Sequence, residues 1–302
     1  MEIVFLGTGA TMPSRERNVS STAVLMDGVS LLFDCGEGTQ RQMMRAGVSF
    51  MKVRWIALSH YHGDHMLGIP GLTQSMALSG RTDPLTFFGP PGLDSLLSHL
   101  KEGRLVSDAF PVETVEMQGG DSVSLDSHTL SAAEATHGTR ALSFRLDGPV
   151  RPGKFNPAKA AKLGIPPGPD YGRLQRNQAV TVSGRTVRPS DVMGKPRAGP
   201  SVGYAVDTRP NGSIGELMRG VDVLIFDSTF TEESASRAEE TGHSTSIEAA
   251  RLAASSGARR LYLDHISGRY EDTATLLREA RSCFAKSYVA RDFLRYRVRP
   301  RG

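Results

Sequence analysis

Short apolar runs separated by glycine, aspartate and other turn residues occupy the first half of the chain. Residues 3–6, 22–26 and 30–33 have the length and apolar content of buried β-strands, and Asp27-Gly28 predicts a hairpin turn between the last two. Residues 53–58 form another such run, apolar apart from Arg54. Further predicted strands are 86–88, 112–117, 122–125, 129–135 and 142–146, and the predicted helices are 39–46, 69–79 and 93–105.

The last third of the chain alternates strands and helices more regularly. Its predicted strands are 202–206, 221–226, 260–263, 288–290 and 293–298, and its predicted helices are 214–219, 232–240, 247–255 and 273–284. Strand-rich blocks separated by helices suit two sheets packed face to face, with helices on the outer faces. The pattern therefore predicts an α/β fold of the αββα sandwich type.

Residues 150–200 interrupt this alternation. They contain ten Lys or Arg residues and two Asp residues, a net charge of +8, whereas the whole chain carries +4. Gly and Pro recur in the segment, most densely in residues 164–169. Such a segment is either a protruding basic arm that binds a phosphate backbone or a solvated insertion without a partner. We predict one domain over residues 1–302, with an inserted arm at 150–200.

Composition limits the compartment and the partners. The chain has 302 residues, a pI of about 9.2 and two cysteines, Cys35 and Cys283, which cannot form a disulfide framework. No window of about 18 residues is apolar enough to cross a membrane. The N-terminus lacks the basic start of a signal peptide. We therefore expect a cytoplasmic protein that does not associate with membranes.

Four potential metal ligands follow the predicted strand 53–58. The run is Ser59-His60-Tyr61-His62-Gly63-Asp64-His65. Imidazole and carboxylate groups suit zinc, manganese or iron, and open α/β sheets place their sites at the C-terminal ends of strands. His60 and His62 can converge on one ion, while Asp64 and His65 turn toward a second. A surface loop that merely happens to hold three histidines is the weaker alternative, because the chain has only eight histidines.

Other polar residues follow predicted strands or precede predicted helices. Asp34 could hold a ligating histidine in one tautomer or cap the next helix. Asp207 could bridge two metal ions or initiate a turn. His137 lies in a turn, where a histidine is commonly solvated, but the first ion still lacks a ligand. His243 precedes a helix N-terminus, so we expect it to be less easily protonated than an ordinary histidine.

Several motifs together resemble those of the ribonuclease Z family in its short form, within the metallo-β-lactamase superfamily. They are Pro13-x-Arg15-x-Arg17-Asn18, the histidine run followed by Gly68-Ile69-Pro70-Gly71-Leu72, His137, Gly164-Ile165-Pro166-x-Gly168-Pro169, Asp207-Thr208-Arg209-Pro210, Gly242-His243-Ser244-Thr245 and His265-Ile266-Ser267-x-Arg269-Tyr270. The histidine run is common to the superfamily, whereas the first loop, the Gly-Pro segment and the His-Ser-Thr segment are specific to ribonuclease Z. One departure is Phe226-Asp227-Ser228-Thr229-Phe230, where the family usually has His-Glu-Ala-Thr-Phe. The shorter Asp227 leads us to expect a weaker or water-mediated version of the glutamate's interaction.

The resemblance implies a metallo-β-lactamase fold and a site with two zinc ions per subunit, or manganese in their place. It assigns His60, His62 and His137 to one ion, Asp64, His65 and His265 to the other, and Asp207 to a bridge between them. Asp34 and Asp227 would support these ligands. The implied reaction is hydrolysis of precursor tRNA after the discriminator nucleotide, which leaves a tRNA 3′-hydroxyl and a trailer 5′-phosphate. Asp64 would steer the proton of the attacking water, and His243 would protonate the leaving 3′ oxygen.

The resemblance also implies how RNA is bound. The residues at the tRNA 3′ end would be Pro13, Arg15, Arg17 and Asn18, and the exosite residues in the arm would be Lys154, Lys159, Lys162, Gly168, Pro169 and Arg173. In the family the arm commonly serves the active site of the other subunit, so a homodimer is implied. Two alternatives are a hydrolase of the same fold that acts on small phosphodiesters and a catalytically silent RNA-binding protein.

Overall fold

Strands that match the predicted apolar runs form the interior of the protein. The structure is a computed structural model, and it describes residues 1–301. Its strands are β1 Glu2–Gly7, β2 Ser21–Met26, β3 Val29–Phe33, β4 Val53–Ala57, β5 Leu85–Gly89, β6 Val112–Glu116, β7 Ser122–Leu125, β8 His128–Glu134, β9 Leu142–Asp147, β10 Val180–Val182, β11 Arg185–Val187, β12 Ser201–Ala205, β13 Val223–Asp227, β14 Leu261–Asp264, β15 Ser287–Val289 and β16 Arg295–Arg297. Its α-helices are α1 Thr39–Arg45, α2 Gly63–Met66, α3 Ile69–Leu78, α4 Leu93–Glu102, α5 Pro157–Lys162, α6 Pro169–Gln175, α7 Pro189–Val192, α8 Gly212–Leu217, α9 Ala235–Thr241, α10 Ser246–Ser255 and α11 Ala274–Cys283. Within residues 1–301, none of these helices has the length and apolarity needed to cross a membrane.

Two mixed sheets account for most of the strands in residues 1–301. The first has the order β16-β1-β2-β3-β4-β5-β6, antiparallel from β16 to β3 and parallel from β3 to β6. The second has the order β15-β14-β13-β12-β9-β8-β7, parallel from β15 to β12 and antiparallel from β12 to β7. Because parallel strands end at the same edge of a sheet, the segments that follow β12, β13 and β14 lie side by side.

Three apolar layers hold the sheets and the helices together. The layer between the sheets contains Phe33 and Trp55 from the first sheet and Phe144 and Tyr204 from the second. Another layer packs α1, α3 and α4 on the outer face of the first sheet, and a third packs α8, α10 and α11 on the outer face of the second. Helices therefore cover both outer faces, which is the αββα arrangement expected from the sequence.

Residues 148–200 form a compact unit of their own. The protein divides into this unit, which also includes the last two described residues, and a larger unit of Met1–Asp147 and Ser201–Arg299. The small unit has its own apolar cluster, which includes Ile165 and Leu174. Its helix α5 is capped by Asn156, whose side chain accepts a hydrogen bond from a backbone N–H three residues later. A core and a capped helix distinguish this segment from a structureless loop.

Some elements differ from the sequence prediction near the histidine run. The run is not entirely a loop, because α2 forms a helical turn within it that carries Asp64 and His65. Helix α1 follows Gly38 and has no side-chain cap, so Asp34 is not its cap. The predicted helix 93–105 ends at Glu102, because Arg104 has a left-handed backbone with a φ of 57° and cannot continue the helix.

Candidate metal centre

The predicted metal ligands meet at one edge of the two sheets of the larger unit. His60 and His62 follow β4, Asp207 follows β12, and His265 follows β14. His137 follows β8, which runs parallel to β12 because both pair antiparallel with β9. Asp207 and His265 have φ angles of 49° and 56°, a left-handed backbone that Asp and His adopt more readily than most residues. Strained turns of this kind are frequent at functional sites.

The first group consists of His60, His62, His137 and Asp207. His62 Nδ1 lies 2.9 Å from His60 Nε2 and 3.4 Å from His137 Nε2. Asp207 Oδ2 lies 3.5 Å from His60 Nε2 and 3.8 Å from His137 Nε2. One nitrogen of each ring and one carboxylate oxygen therefore face a common point.

The second group consists of Asp64, His65, His265 and, again, Asp207. His65 Nε2 lies 3.3 Å from Oδ2 of Asp64 and 3.3 Å from Oδ2 of Asp207. His265 Nε2 lies 3.6 Å from Asp64 Oδ2 and 2.8 Å from Asp207 Oδ1. Because Asp207 belongs to both groups, it lies where a carboxylate can bridge two ions. The structure thus brings together all seven ligands implied by the resemblance.

In four of the five histidines of these groups, the ring nitrogen that does not face the group contacts another protein atom. The pairs are His60 Nδ1 with Ser59 Oγ at 3.0 Å, His65 Nδ1 with Asp34 Oδ2 at 2.8 Å, His137 Nδ1 with the Gly242 carbonyl oxygen at 3.2 Å, and His265 Nδ1 with Thr229 Oγ1 at 3.0 Å. A proton on Nδ1 that is held in this way leaves the lone pair of Nε2 available to a metal ion. His62 differs, because its Nδ1 is the nitrogen that faces the group.

Buried atoms without hydrogen-bond partners show that the groups suit metal ions. Among the described residues, His65 Nε2, His265 Nε2 and Asp207 Oδ1 are buried and make no hydrogen bond of good geometry, although 2.8 Å separates the last two. Such atoms are unfavourable in a protein interior, and a metal ion would satisfy them. Burial, together with neighbouring imidazoles, lowers the pKa of His60 to about 2. The His60 ring is therefore neutral, as a ligand must be.

The charge balance of the second group also favours a cation. Burial alone would lower the pKa of His265, but Asp207 and Asp64 outweigh burial and raise it to about 10. The pKa of His65 is raised in the same way, against burial, by Asp207 and Asp34. The carboxylates thus attract positive charge to this point, and a divalent cation would take the place of the protons. The residues fit divalent metal ions.

Asp34 is the centre of a buried hydrogen-bond network beneath the second group. It accepts hydrogen bonds from the Ser59 N–H at 2.7 Å, the Ser59 hydroxyl at 2.9 Å and the Tyr204 hydroxyl at 2.8 Å, in addition to its interaction with His65. Its place after a strand predicted a supporting role. Tyr204 was not predicted, because it lies in a buried strand and resembles an ordinary core residue. The Tyr204 ring stacks on Phe33 at 4.9 Å between centroids, which ties the network to the layer between the sheets.

His243 and Asp227 form a pair beside the second group. Asp227 Oδ2 lies 2.9 Å from His243 Nδ1, so the expectation of a water-mediated interaction is wrong, whereas that of a weaker interaction stays a prediction. Burial alone would lower the pKa of His243, but Asp227 outweighs burial and raises it. The expectation that His243 is less easily protonated is therefore also wrong. Asp227 lies within reach of a metal position, but its oxygens already accept hydrogen bonds from the Thr208 and Thr229 N–H groups.

A salt bridge holds the loop that carries His243. Arg209 Nη1 donates to the His243 carbonyl oxygen at 2.9 Å, and the Arg209 guanidinium also pairs with both carboxylate oxygens of Glu248. Glu248 and Thr245 form the capping box of α10. The Arg209 N–H donates to the carbonyl oxygen of Thr136 at 2.9 Å, next to His137, a predicted ligand. The sequence indicated no role for Arg209.

The loop residues predicted to contact RNA are Pro13, Arg15, Arg17 and Asn18. Two of them anchor the loop: Arg17 Nη1 donates to the Thr8 hydroxyl at 2.6 Å and to the Ala290 carbonyl oxygen at 2.7 Å, and the Asn18 side chain donates to the backbone. Pro13 and Arg15 are exposed. Pro13 lines the cavity of about 570 Å³ into which the metal groups open.

The predicted exosite residues lie on the surface of the small unit. They are Lys154, Lys159, Lys162, Gly168, Pro169 and Arg173, and all are exposed. Arg173 forms an ion pair of 3.3 Å with Asp170, which is weak because water reaches both side chains. Among the described residues, the three lysines have no ion-pair partner, so this surface offers unpaired positive charge.

Comparisons with known proteins agree with the motifs and with the geometry. Ribonuclease Z of Methanosarcina acetivorans is 42% identical over 299 residues, which cover 99% of this chain and 98% of the relative. Ribonuclease Z of Salinibacter ruber is 41% identical over 311 residues, which cover 100% of this chain and 95% of the relative. The chain belongs to the ribonuclease Z family. The resemblance drawn from the motifs is thereby confirmed.

Structural relatives show the fold of this ribonuclease Z family member. The crystal structure of human tRNase Z, short form, has a TM-score of 0.70 at 23% identity and covers 99% of this chain and 100% of that one. The metallo-β-lactamase fold protein YhfI from Bacillus subtilis has a TM-score of 0.70 at 18% identity, with 98% of each chain covered. A family described as a beta-lactamase superfamily domain matches residues 173–266, and one described as anti-Pycsar protein Apyc1 matches residues 1–146. The predicted metallo-β-lactamase fold is confirmed.

Proposed function

We propose that this protein is a metal-dependent endoribonuclease that removes the 3′ trailer from precursor tRNA. It would cut after the discriminator nucleotide and leave a tRNA 3′-hydroxyl and a trailer 5′-phosphate. The observation that carries the proposal is the pair of His/Asp groups joined by Asp207, in a chain 42% identical to a ribonuclease Z. The substrate class comes from the family, and the chemistry comes from the site.

The ligand set would hold two zinc ions, or manganese in their place. One ion would be held by His60, His62 and His137, the other by Asp64, His65 and His265, and both by Asp207. Bound metal ions would lower the pKa of an attacking water and offset negative charge on the phosphate. The Thr11 N–H donates to Asp64 Oδ2 at 3.0 Å and orients this carboxylate. Asp64 Oδ1 would then accept the proton of the attacking water.

His243 is the proposed general acid for the leaving 3′ oxygen. Because Asp227 holds Nδ1, Nε2 is the ring nitrogen that can donate a proton. The side chain of His243 is 12% exposed and lines the cavity at the metal groups. Although burial opposes it, Asp227 raises the pKa of His243, which increases the protonated fraction near neutral pH. Arg209 keeps the backbone of His243 in place.

Substrate binding would be divided between two regions. The exposed lysines of the arm at 150–200 would bind tRNA phosphates away from the chemistry. The loop at Pro13 and Arg15 would contact nucleotides next to the cut. The proposal includes one domain over residues 1–302 with the arm inserted in it, a homodimer in which the arm of one subunit serves the other's site, and a cytoplasmic location.

Cleavage of a 3′-extended precursor tRNA tests the proposal. The wild type, His65→Ala and the control His99→Ala are compared with zinc or manganese supplied, and the product ends are mapped. His99 is an exposed residue of α4 outside both metal groups. We expect a single cut at the discriminator nucleotide, abolished in His65→Ala and kept in the control. If the metal-loaded wild type hydrolyses a small phosphodiester but leaves the precursor intact, the protein is instead a small-molecule phosphodiesterase.

A further inference from the structure

A cleft of about 1280 Å³ lies beside the metal cavity in the larger unit. Its walls are the loop at residues 13–18, residues 41, 42 and 45 of α1, and residues 267–268, 270–273 and 291–293. Pro13 lines both this cleft and the metal cavity, so an RNA strand that leaves the metal groups over Pro13 enters the cleft. We propose that the cleft, through Arg41, Arg291 and the ring of Phe293, binds the unpaired 3′ trailer of the precursor. This inference rests on the proposed function.

Three arginines of the cleft are free to meet phosphates. Arg15, Arg41 and Arg291 are exposed, and none has an ion-pair partner among residues 1–301. Unpaired guanidinium groups are well suited to phosphate, because their donors match its oxygens in pairs. The remaining arginines of the cleft are Arg17, which is anchored internally, and Arg45, which lies over an aromatic ring.

The carboxylates of the cleft offset part of the positive charge of its arginines. The acidic residues in its walls are Glu16, Glu271, Asp272 and Asp292. Asp292 accepts hydrogen bonds from Thr8 Oγ1 at 2.8 Å and Gln42 Nε2 at 2.9 Å, and Asp272 accepts one from the first residue of α11. These two are engaged by the protein. Hydrogen bonds leave the charges of these carboxylates in place, so the cleft holds five arginines against four carboxylates. Its small positive excess lies at the arginines that have no internal partner.

Aromatic rings add a second feature of single-strand sites. Phe293 and Tyr270 line the cleft and are half-buried. The Arg45 guanidinium lies 4.6 Å from the Phe293 ring centroid, and the Tyr270 hydroxyl accepts a hydrogen bond from the Thr231 N–H at 3.1 Å, which fixes the ring. Proteins bind single-stranded nucleic acid without base preference by stacking bases on such rings and pairing phosphates with arginine.

The walls are preformed around Asp292. Its carboxylate also accepts a hydrogen bond from the Asn18 N–H at 2.8 Å, so it joins the loop at 13–18 to Thr8, the residue after β1, and to α1 through Gln42. A preformed cleft loses little conformational entropy when RNA binds. Of the two RNA segments that flank the cut, the trailer is the longer unpaired one, since only the discriminator nucleotide separates the cut from the acceptor duplex. The unpaired segment is the one that can present bases to the rings.

Trailer length is the variable that tests this inference. Two precursors with the same tRNA body and trailers of one or eight nucleotides are cleaved by the wild type, by the double variant Arg41→Ala/Arg291→Ala, and by the control Arg251→Ala/Arg278→Ala. The control removes two exposed arginines of α10 and α11 that are not in the cleft. Arg41→Lys/Arg291→Lys keeps the charge and should restore part of the activity.

We expect kcat/KM of the cleft variant to fall about tenfold or more on the long trailer, as when charged hydrogen bonds are removed, and to stay unchanged on the short one. On the long trailer, the slope of log affinity against log salt should become shallower by about 1.4, or about 0.7 for each phosphate that an arginine no longer neutralises. An equal decrease on both trailers, or no decrease on either, would overturn the inference. If the metal-loaded wild type cuts neither precursor, the proposed function itself fails.

Discussion

The substitution Asp34→Asn should weaken metal binding without changing the shape of the site. Two N–H donors face the Asp34 carboxylate: the Ser59 backbone at 2.7 Å from Oδ1 and His65 Nδ1 at 2.8 Å from Oδ2. A carboxylate accepts both, whereas a carboxamide has a single acceptor oxygen and turns its NH₂ group toward the other donor. The hydroxyl of Tyr204 can rotate to adapt, but the two N–H groups cannot. One buried donor is therefore left without an acceptor.

The size of the effects on stability and on zinc affinity depends on which donor is left without its acceptor. If it is the Ser59 N–H, the unfolding free energy falls by about 1–3 kcal/mol, the cost of an unsatisfied buried group. If it is His65, Nδ1 becomes the acceptor and the proton moves to Nε2, which removes a metal lone pair. Because His65 loses a charged carboxylate partner in either case, we expect zinc affinity to fall about 10- to 100-fold, as for other residues that orient a ligating histidine.

Competition with a chromogenic chelator measures the zinc affinity, and urea unfolding of the metal-free protein measures the stability. Asp126→Asn is a matched control, because its carboxylate pairs with Arg54 on the surface with about half of each side chain exposed. The control should be destabilised by less than about 0.5 kcal/mol and should keep its metal affinity. An Asp34→Asn protein that binds zinc within about twofold of the wild type would refute the reasoning.

Three other expectations follow from the same site. His243→Gln should lower kcat on precursor tRNA by about 10²- to 10⁴-fold and spare a nitrophenyl phosphodiester, whose leaving group needs no proton; an equal decrease on both substrates contradicts a role as general acid. Arg209→Lys should lower kcat about tenfold, because a lysine cannot pair with both Glu248 oxygens and also reach the His243 carbonyl; KM and metal content should not change, and an unaltered kcat would show that the salt bridge does not position His243. Although burial opposes it, Asp207 and Asp64 raise the pKa of His265 to about 10 in the metal-free protein. Its protonation therefore stabilises the fold fully below the ordinary value of about 6.5, and this stabilisation disappears as pH rises through about 10. The unfolding temperature of the metal-free protein should fall over that range more steeply than that of the metal-loaded protein, and parallel profiles would contradict the assignment.

Local pattern was enough to predict the strands that carry the site, because apolar runs bounded by turn residues have few other outcomes. It also placed His60, His62, Asp64 and His65 together, since they are neighbours along the chain. A cap for α10 at Ser244 or Thr245 was likewise predictable, because a cap depends on residues a few positions apart, and the structure shows it at Thr245.

The contact that Asp227 makes could not be predicted from the local sequence pattern. One methylene fewer than glutamate suggested a weaker interaction, but whether a carboxylate reaches a histidine depends on the distance between β13 and the turn before α10. That distance is set by packing, and the oxygen lies 2.9 Å from His243 Nδ1. The protonation of His243 was misjudged for a related reason. The nearby helix N-terminus is visible in the sequence, whereas the stronger effect of Asp227 arises only from the fold.

The identity of the potential metal ligands, the αββα class and the basic character of residues 150–200 are encoded in residue type and spacing along the chain. The roles of Tyr204, Arg209 and Asp292 are not, because each acts on a partner far away in sequence. Tyr204 meets Asp34 across 170 positions, and Asp292 meets Asn18 across 274. Such pairings form only when the two sheets have packed. Burial then makes each hydrogen bond important, because a buried polar group without a partner is costly.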